Sequence, residues 1–260
     1  MMLQNKKIVV IGGTNGLGLS SASYFISQGA KVIAVGRNEN TNKIAESIFG
    51  ESGIVLKGDA TQEKTSTLAI ELCVEKWGDF DGLYHVAGGS GRSYGDGPLH
   101  EITREGWDKT FELNLTSIMY SNQAAVVAFM NLKKPGSILN MSSVLGYSPS
   151  PKFFATHAYS SAKAAIIGFS KSIASFYAEH GIRVNVIAPG LVETPMSQRA
   201  SKNETIMNYI ATKQPLDGGR NGQPQDYDAA ACYFMSDYSK FTTGQVLAID
   251  GGWTLSDGQF

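Results

Sequence analysis

The chain is predicted to be an α/β protein, a doubly wound parallel sheet with helices on both faces, folded as a single domain over its 260 residues. Three observations predict this. Short runs that are apolar throughout alternate with longer segments of helical periodicity, as expected for strands buried on both faces between covering helices. The first such run passes straight into a glycine-rich turn and then a helical pattern. A chain of this length, 42% hydrophobic, is long enough for one large core, and it shows no linker, internal repeat or low-complexity tract.

Lys7 to Ile11 is the first strand, followed by Gly12-Gly13-Thr14-Asn15-Gly16-Leu17-Gly18 and a helix from Leu19 to Gln28 that closes at Gly29. A second strand, Lys31 to Val35, completes a β-α-β unit. Glycines at such a turn let the backbone approach a pyrophosphate, and the helix start offers unpaired N–H groups and the positive end of its dipole. The spacing is Gly-x-x-x-Gly-x-Gly rather than the commoner Gly-x-Gly-x-x-Gly, so nucleotide binding is read from the turn's place between strand and helix, not from the glycines alone. The second strand ends Val35-Gly36-Arg37-Asn38, with no carboxylate before Glu39. An acid there accepts from a ribose 2'-hydroxyl, whereas a guanidinium suits a 2'-phosphate. The reading therefore leans to NADP(H), with NAD as the alternative and a merely solvated Arg37 as its basis.

The alternation continues. Ile54 to Leu56 forms a third strand ending at Gly58-Asp59, where the carboxylate is placed to accept from an adenine amino group; a helix follows around Thr65 to Trp77. Gly82 to Val86 is the fourth strand, leading through Ala87-Gly88-Gly89 into a glycine-rich stretch to Gly97 that either passes the cofactor or forms a mobile surface turn. One long helical pattern spans about Thr103 to Leu132, with Trp107, Phe111, Leu115, Ile118 and Met119 as its stripe. Asn114 inside it competes for backbone hydrogen bonds, which predicts a kink or a buried polar role there, against the alternative of surface exposure. A fifth strand, Ile138 to Met141, ends in Ser142-Ser143, and a helix runs on from about Ala155 to Gly181. Val184 to Ala188 is the sixth strand and turns at Pro189-Gly190. Residues 191–220 mix polar, helical and Gly/Pro elements and read as a substrate flap rather than a strand or core helix. A helix from Tyr227 to Met235 and a strand from Val246 to Ile249 complete the order.

The chemistry is read from Tyr159 and Lys163. Four residues apart on a helix, they share one face. A lysine beside a phenol favours the phenolate and is expected to lower its pKa from about 10, making Tyr159 a candidate general acid and base. The same spacing recurs at Tyr209 and Lys213, and a solvated helix face explains either pair equally well. The first is preferred because a strand ending in two serines precedes it and an apolar strand follows it. Net charge is −1, with no basic block or acidic tail that would point to nucleic acid or membrane partners. Cys73 and Cys232 sit in apolar segments and read as core thiols of a reducing compartment; the four histidines show no ligand spacing, so no metal is expected. No apolar stretch is long enough to span a bilayer, and the N-terminal apolar run is too short for a signal peptide core, so a cytoplasmic location is expected.

In their order these motifs resemble the short-chain dehydrogenase/reductase family over essentially the whole chain. The resemblance rests on Gly12, Gly16 and Gly18, Asp59, Asn114, then Ser143, Tyr159 and Lys163, then Pro189-Gly190 with Thr194-Pro195-Met196, and finally Thr243-Gly244-Gln245 through Asp250-Gly251-Gly252. It implies a Rossmann-type fold in which the dinucleotide lies against Gly12, Thr14, Asn15, Gly16, Leu17 and Gly18. Arg37, Asn38, Asp59 and Ala60 follow, with Ala87 and Gly88. Pro189, Gly190, Val192 and Thr194 complete the site, Thr194 and the backbone near Val192 holding the carboxamide. The implied reaction is hydride transfer between a ketone and a secondary alcohol. Tyr159 exchanges the proton and Ser143 orients the oxygen. Lys163 holds the nicotinamide ribose, and Asn114 holds a water that links Lys163 to solvent. A homotetramer or homodimer is implied as well.

The chain also departs from the family pattern. Ile11 stands for a usual Thr, and His85-Val86-Ala87-Gly88 for Asn-Asn-Ala-Gly, so the hydrogen bonds of those residues must come from elsewhere. Ser143, placed as the catalytic serine because Gly146 follows at the family offset, stands a few residues further than usual from Tyr159. The surplus falls among Tyr147 to Thr156, beside the substrate. The expected lining includes Phe153, Phe154, His157, Met196 and Met207, consistent with a partly apolar ligand. Arg92 and Arg199 read either as an anion site or as surface charge. 3-Oxoacyl thioesters, cyclic ketones and sugar-derived ketones remain open as substrates. So do two other functions: a nucleotide-binding regulator without turnover, and an epimerase or dehydratase that uses its cofactor transiently.

Overall fold

The computed structural model describes residues 1–258 and forms one seven-stranded, wholly parallel sheet in the order β3-β2-β1-β4-β5-β6-β7. The strands are β1 Lys7–Ile11, β2 Lys31–Gly36, β3 Gly53–Lys57, β4 Gly82–His85, β5 Gly136–Met141, β6 Ile182–Pro189 and β7 Val246–Ile249. Alternate residues of β1 go to opposite faces. Ile8 and Val10 join one core with Phe25, Tyr84 and Leu139, while Val9 and Ile11 join the other with Ile70, Phe80 and Phe129. This two-sided burial is why the strands read as unbroken apolar runs rather than as alternating ones.

The covering helices are α1 Gly16–Ser27, α2 Glu39–Phe49, α3 Glu63–Trp77, α4 Arg104–Phe111, α5 Ser117–Leu132, α6 His157–Tyr177, α7 Gln198–Ser201, α8 Glu204–Lys213 and α9 Asp228–Met235. Helix α1 begins at Gly16, three residues before the expected start, so the last glycines of the turn lie inside its first turn. Helix α2 was not anticipated, although Ala45 and Phe49 form a buried stripe on it. The single long helix expected from Thr103 to Leu132 is divided by a π-helical turn at Glu112–Thr116 that contains buried Asn114. Extra residues in such turns commonly mark functional positions.

Residues 191–220 hold more core structure than their sequence pattern implies. The segment is largely helical, and Ile206, Tyr209 and Ile210 of α8 are buried in a third apolar cluster with Val144, Ala200 and Trp253. The apolar residues of α8 pack against Val144 and Trp253, which are remote in sequence, so the local pattern understated the packing.

The order of the strands reverses between β1 and β4. In open parallel sheets the carboxyl ends of strands flanking such a switch leave a crevice that loops cannot cross.

Candidate active site

One cleft of about 520 Å³ lies at these strand ends. It is lined by the turns after β1, β2, β3, β4, β5 and β6, and by Trp253 beyond β7. Of the residues expected to hold a cofactor, Gly12, Thr14, Asn15, Gly16 and Leu17 face it, as do Arg37, Asn38, Asp59, Ala60, Ala87 and Gly88. Tyr159, Lys163, Pro189, Gly190, Val192 and Thr194 line it too, with Ser143; Gly18 and Asn114 stand behind the lining.

The glycine turn is shaped by close approach. Gly12 has φ +85°, and a Cβ on Gly18 would lie 2.0 Å from the Gly12 carbonyl oxygen, so α1 can begin there only without a side chain. No side chain caps the start of α1, leaving its first N–H groups available in the cleft. Asn38 instead caps α2, accepting from the Asn40 and Thr41 N–H groups at 2.9 and 3.2 Å.

Arg37 is exposed at the end of β2, but it is not without an acidic neighbour. Its Nη1 lies 3.6 Å from Asp59 Oδ2, a neighbour that only strand pairing between β2 and β3 brings into reach. Asp59 Oδ1 accepts from the Thr61 N–H and hydroxyl at 3.0 and 2.9 Å. Asp59 loses some solvation, which alone would raise its pKa; the Thr61 hydrogen bonds and Arg37 outweigh that and hold its carboxyl below the usual range. The anticipated acid-free surroundings of Arg37 are therefore corrected, and part of the Asp59 carboxylate is already engaged.

The departures from the family pattern are compensated. The Ile11 carbonyl accepts from the Val86 and Ala87 N–H groups, both at 2.9 Å, so the backbone makes the link that a threonine would make. His85 is buried, with Nδ1 2.7 Å from Ser121 Oγ and Nε2 3.1 Å from the Ala87 carbonyl. Burial, with Lys163 nearby, pushes its pKa down to about 3, so the ring is neutral and serves as a strut.

Helix α6 is stitched to the end of β5 in both directions. Ser142 Oγ donates to the Lys163 carbonyl at 2.7 Å, and Lys163 Nζ donates to the Met141 carbonyl at 3.0 Å. Ser142 is thereby occupied, while Ser143 Oγ accepts from the Leu145 N–H at 3.2 Å and lines the cleft together with Tyr159. A Cβ on Gly146 would meet the Ala164 nitrogen at 2.8 Å, so this glycine lets the turn after Ser143 press against α6. Lys163 Nζ lies 5.5 Å from the Tyr159 ring centroid. Asn114 Nδ2 donates to the Gly89 and Thr110 carbonyls at 2.9 and 2.8 Å, and its Oδ1 accepts from the Gly89 N–H at 3.3 Å. The carboxamide thus fastens the loop after β4 beside Lys163.

The proton affinities differ from the expectation. Burial pushes the Tyr159 phenol up to about 12, only partly opposed by the Ser143 hydroxyl, and pushes Lys163 down to about 7. Lys163 is buried against a carbonyl with no carboxylate beside it, so its ammonium is itself costly and gives the phenol little help. With no ligand bound, Tyr159 holds its proton.

Two site residues escaped the sequence reading. Asp96 is buried, and its two oxygens accept from the Ala158 and Tyr159 N–H groups, each at 3.0 Å, anchoring the first turn of α6. The His157 N–H also donates to the Gly97 carbonyl at 3.2 Å. The stretch to Gly97 is thus fastened to α6 rather than left as a free surface turn. Trp253 packs against Phe154 and donates from Nε1 to the Ser148 carbonyl at 3.1 Å. Its only sequence signal was its position just past the end of the last strand.

A parallel sheet with an uncapped glycine turn at its switch point and a Tyr–Lys helix turn beside a strand-end serine defines a class of nucleotide-dependent oxidoreductases. A family model described as enoyl-(acyl carrier protein) reductase matches residues 12–254. The 3-oxoacyl-(acyl-carrier-protein) reductase FabG of Chlamydia trachomatis is 34% identical over 255 residues, covering 96% of this chain and 98% of that one. The NADP-dependent (R)-specific alcohol dehydrogenase of Lentilactobacillus kefiri is 31% identical, with 97% and 98% covered. A solved short-chain type dehydrogenase/reductase from Mycobacterium ulcerans superposes with a TM-score of 0.89 at 27% identity, over 100% of this chain and 94% of that chain. The chain belongs to the short-chain dehydrogenase/reductase family and is an oxidoreductase.

The NAD(P) that the family binds fits the residues present. The α1 start offers uncapped N–H groups, Lys163 uses one of its three N–H donors, and a Cβ on Gly88 would fill the space beside Asn114 Oδ1 and Lys163 Nζ. No helix among the described residues is long and apolar enough to cross a membrane.

Proposed function

We propose that the protein is an NADP(H)-dependent reductase interconverting a ketone and a secondary alcohol. The observation that carries this reading is that Tyr159, Ser143 and Lys163 line the same cleft as the uncapped start of α1. A bound nicotinamide dinucleotide would supply the hydride. Tyr159 gives its proton to the substrate oxygen as negative charge develops there, and Ser143 orients that oxygen. Lys163 holds ribose hydroxyls with its remaining donors, and a water held against Asn114 returns the proton. Arg37 and Asp59 take the adenosine end, with the main-chain N–H groups from Asn15 to Gly18 on the pyrophosphate. Thr194 and the Val192 backbone take the carboxamide. Residues 191–220 act as the substrate flap, a role supported by Met196, Arg199 and Ala200 in the lining.

Arg37 and the relative named as NADP-dependent support NADP(H) over NAD(H). Exposed Trp107, Val127, Met130 and Phe176 on α4, α5 and α6 support a homodimer or homotetramer. Two buried free thiols support a reducing, cytoplasmic setting. The test is cofactor oxidation over 3-oxoacyl esters, cyclic ketones and sugar-derived ketones, NADPH against NADH, with Arg37→Ala beside the natural chain. Arg37→Ala is expected to raise the KM for NADPH about tenfold or more, the scale of one lost charge-assisted contact, and that for NADH much less. Equal effects on both cofactors would remove the 2'-phosphate assignment.

A further inference from the structure

Three segments that line the cleft or adjoin it meet on one oxygen atom. Arg92, after β4, and Arg199, in α7, both donate through Nη2 to the carbonyl of Phe153, at 3.4 and 3.2 Å. Both arginines line the cleft that holds Ser143 and Tyr159. They stand 107 residues apart in sequence, and the carbonyl they share belongs to the lengthened stretch between Ser143 and Tyr159.

Two guanidiniums crowded on one neutral acceptor repel each other, and among the described residues neither forms an ion pair with a carboxylate. The nearest acid acting on Arg92 is Asp96, whose two oxygens are taken by the Ala158 and Tyr159 N–H groups. Arg92 is exposed, and the partial loss of solvent around its guanidinium together with the neighbouring Arg199 disfavours its charge. Each guanidinium has five N–H donors, most of them still available, in the fork that matches a carboxylate or phosphate. The same cleft is lined by the apolar side chains of Leu145, Phe154, Met196 and Trp253, which suit an apolar spacer.

We propose that the substrate is an anionic ketone or alcohol, its carboxylate, phosphate or sulfonate held by Arg92 and Arg199 and separated from the reacting carbon by a short apolar spacer. This rests on the reductase reading above and deepens it. Arg37 does not serve the same purpose, because it lies at the far end of the cleft, after β2.

The experiment pairs 4-oxopentanoate, 5-oxohexanoate and 6-oxoheptanoate with their methyl esters and with 5-oxohexylphosphonate, at saturating reduced cofactor. At least one acid or phosphonate is expected to exceed its neutral partner by tenfold or more in kcat/KM. The better of the two anions identifies the headgroup. Arg92→Gln and Arg199→Gln should each cut that ratio at least tenfold, and Arg92→Lys and Arg199→Lys should recover part of it; cofactor titration verifies that each variant is folded. Esters reduced as well as the acids, or a ratio unmoved in both glutamine variants, would overturn the anion site while leaving the reductase reading intact. If no ketone turns over although the cofactor binds, the reductase reading fails. Calorimetric binding of 5-oxohexanoate against its ester to the cofactor-loaded protein and to Arg92→Gln then decides the anion site. A tenfold preference lost in the variant supports the site, and equal binding overturns it.

Discussion

The molecule contains two helical turns with Tyr and Lys four residues apart, and the difference between them shows what makes such a turn reactive. In α8, Tyr209 meets Ser150 Oγ at 3.0 Å, and Lys213 donates to the Ser256 carbonyl while lying 5.8 Å from the Trp253 ring centroid. Both residues are buried, Tyr209 within the third apolar cluster, and neither lines the cleft. In α6, Tyr159 is partly and Lys163 largely out of solvent, but they sit where β5 ends, and both line the cleft. Spacing puts two groups on one helix face; a strand end decides whether that face looks into a cleft or into a core.

The sharpest way to break this comparison is a matched pair of substitutions. Tyr159→Phe is expected to lower turnover about 10³-fold, within the range for a lost general acid, while cofactor titration stays near normal. Tyr209→Phe should leave turnover within about threefold and cost about 1 kcal/mol of stability in urea unfolding, the scale of one buried hydrogen bond. Similar turnover in the two variants would remove Tyr159 as the proton donor.

A smaller but more specific effect concerns the frame of the first pair. Asp96→Asn keeps the size of the side chain but removes its charge at the start of α6. About 1–2 kcal/mol of stability should be lost, with a fall in kcat larger than the change in cofactor affinity. A stability loss without any change in kcat would mean that Asp96 holds the fold but does not position Tyr159.

The comparison also predicts pH behaviour. In the cofactor-free protein, the difference absorbance between the natural chain and Tyr159→Phe should reveal a phenol ionising near pH 12. A midpoint below 10 would show that the Lys163 charge already acts on it. His85 supplies a separate signature. Its folded-state pKa of about 3 lies below the unfolded value of 6.5, so the unfolded chain binds a proton that the folded one refuses. Stability from this group is complete above pH 6.5 and falls by up to about 1.4 kcal/mol per unit as pH drops from 6.5 toward 3. His85→Asn should remove that part of the slope, as read from urea midpoints across the range; an unchanged slope would place the acid sensitivity elsewhere.

Much of the fold was legible because its signals are local. Strands buried on both faces must be continuously apolar, and a glycine turn between such a strand and a helix has few other uses, so the sheet, the turn and the strand-end serines could be read in order. The miss at α2 and the understated α8 have different causes: the apolar stripe that α2 buries is narrow, Ala45 and Phe49, whereas α8 packs against Val144 and Trp253, far away in sequence. The site divides in the same way. The positions of Ser143, Tyr159 and Lys163 follow from the order of residues along the chain, whereas their environment does not.

The sequence by itself determined the parallel sheet, the nucleotide-type turn and the shared face of Tyr159 and Lys163, because each depends on residues within a few positions of one another. Only the tertiary structure decided that Asp59 stands beside Arg37, that Asp96 anchors the helix of Tyr159, that burial keeps the phenol protonated, and that Arg92 and Arg199 share the Phe153 carbonyl. Those depend on desolvation and on charges brought together from distant segments, and neither exists until the strands have paired and the loops at their ends have met.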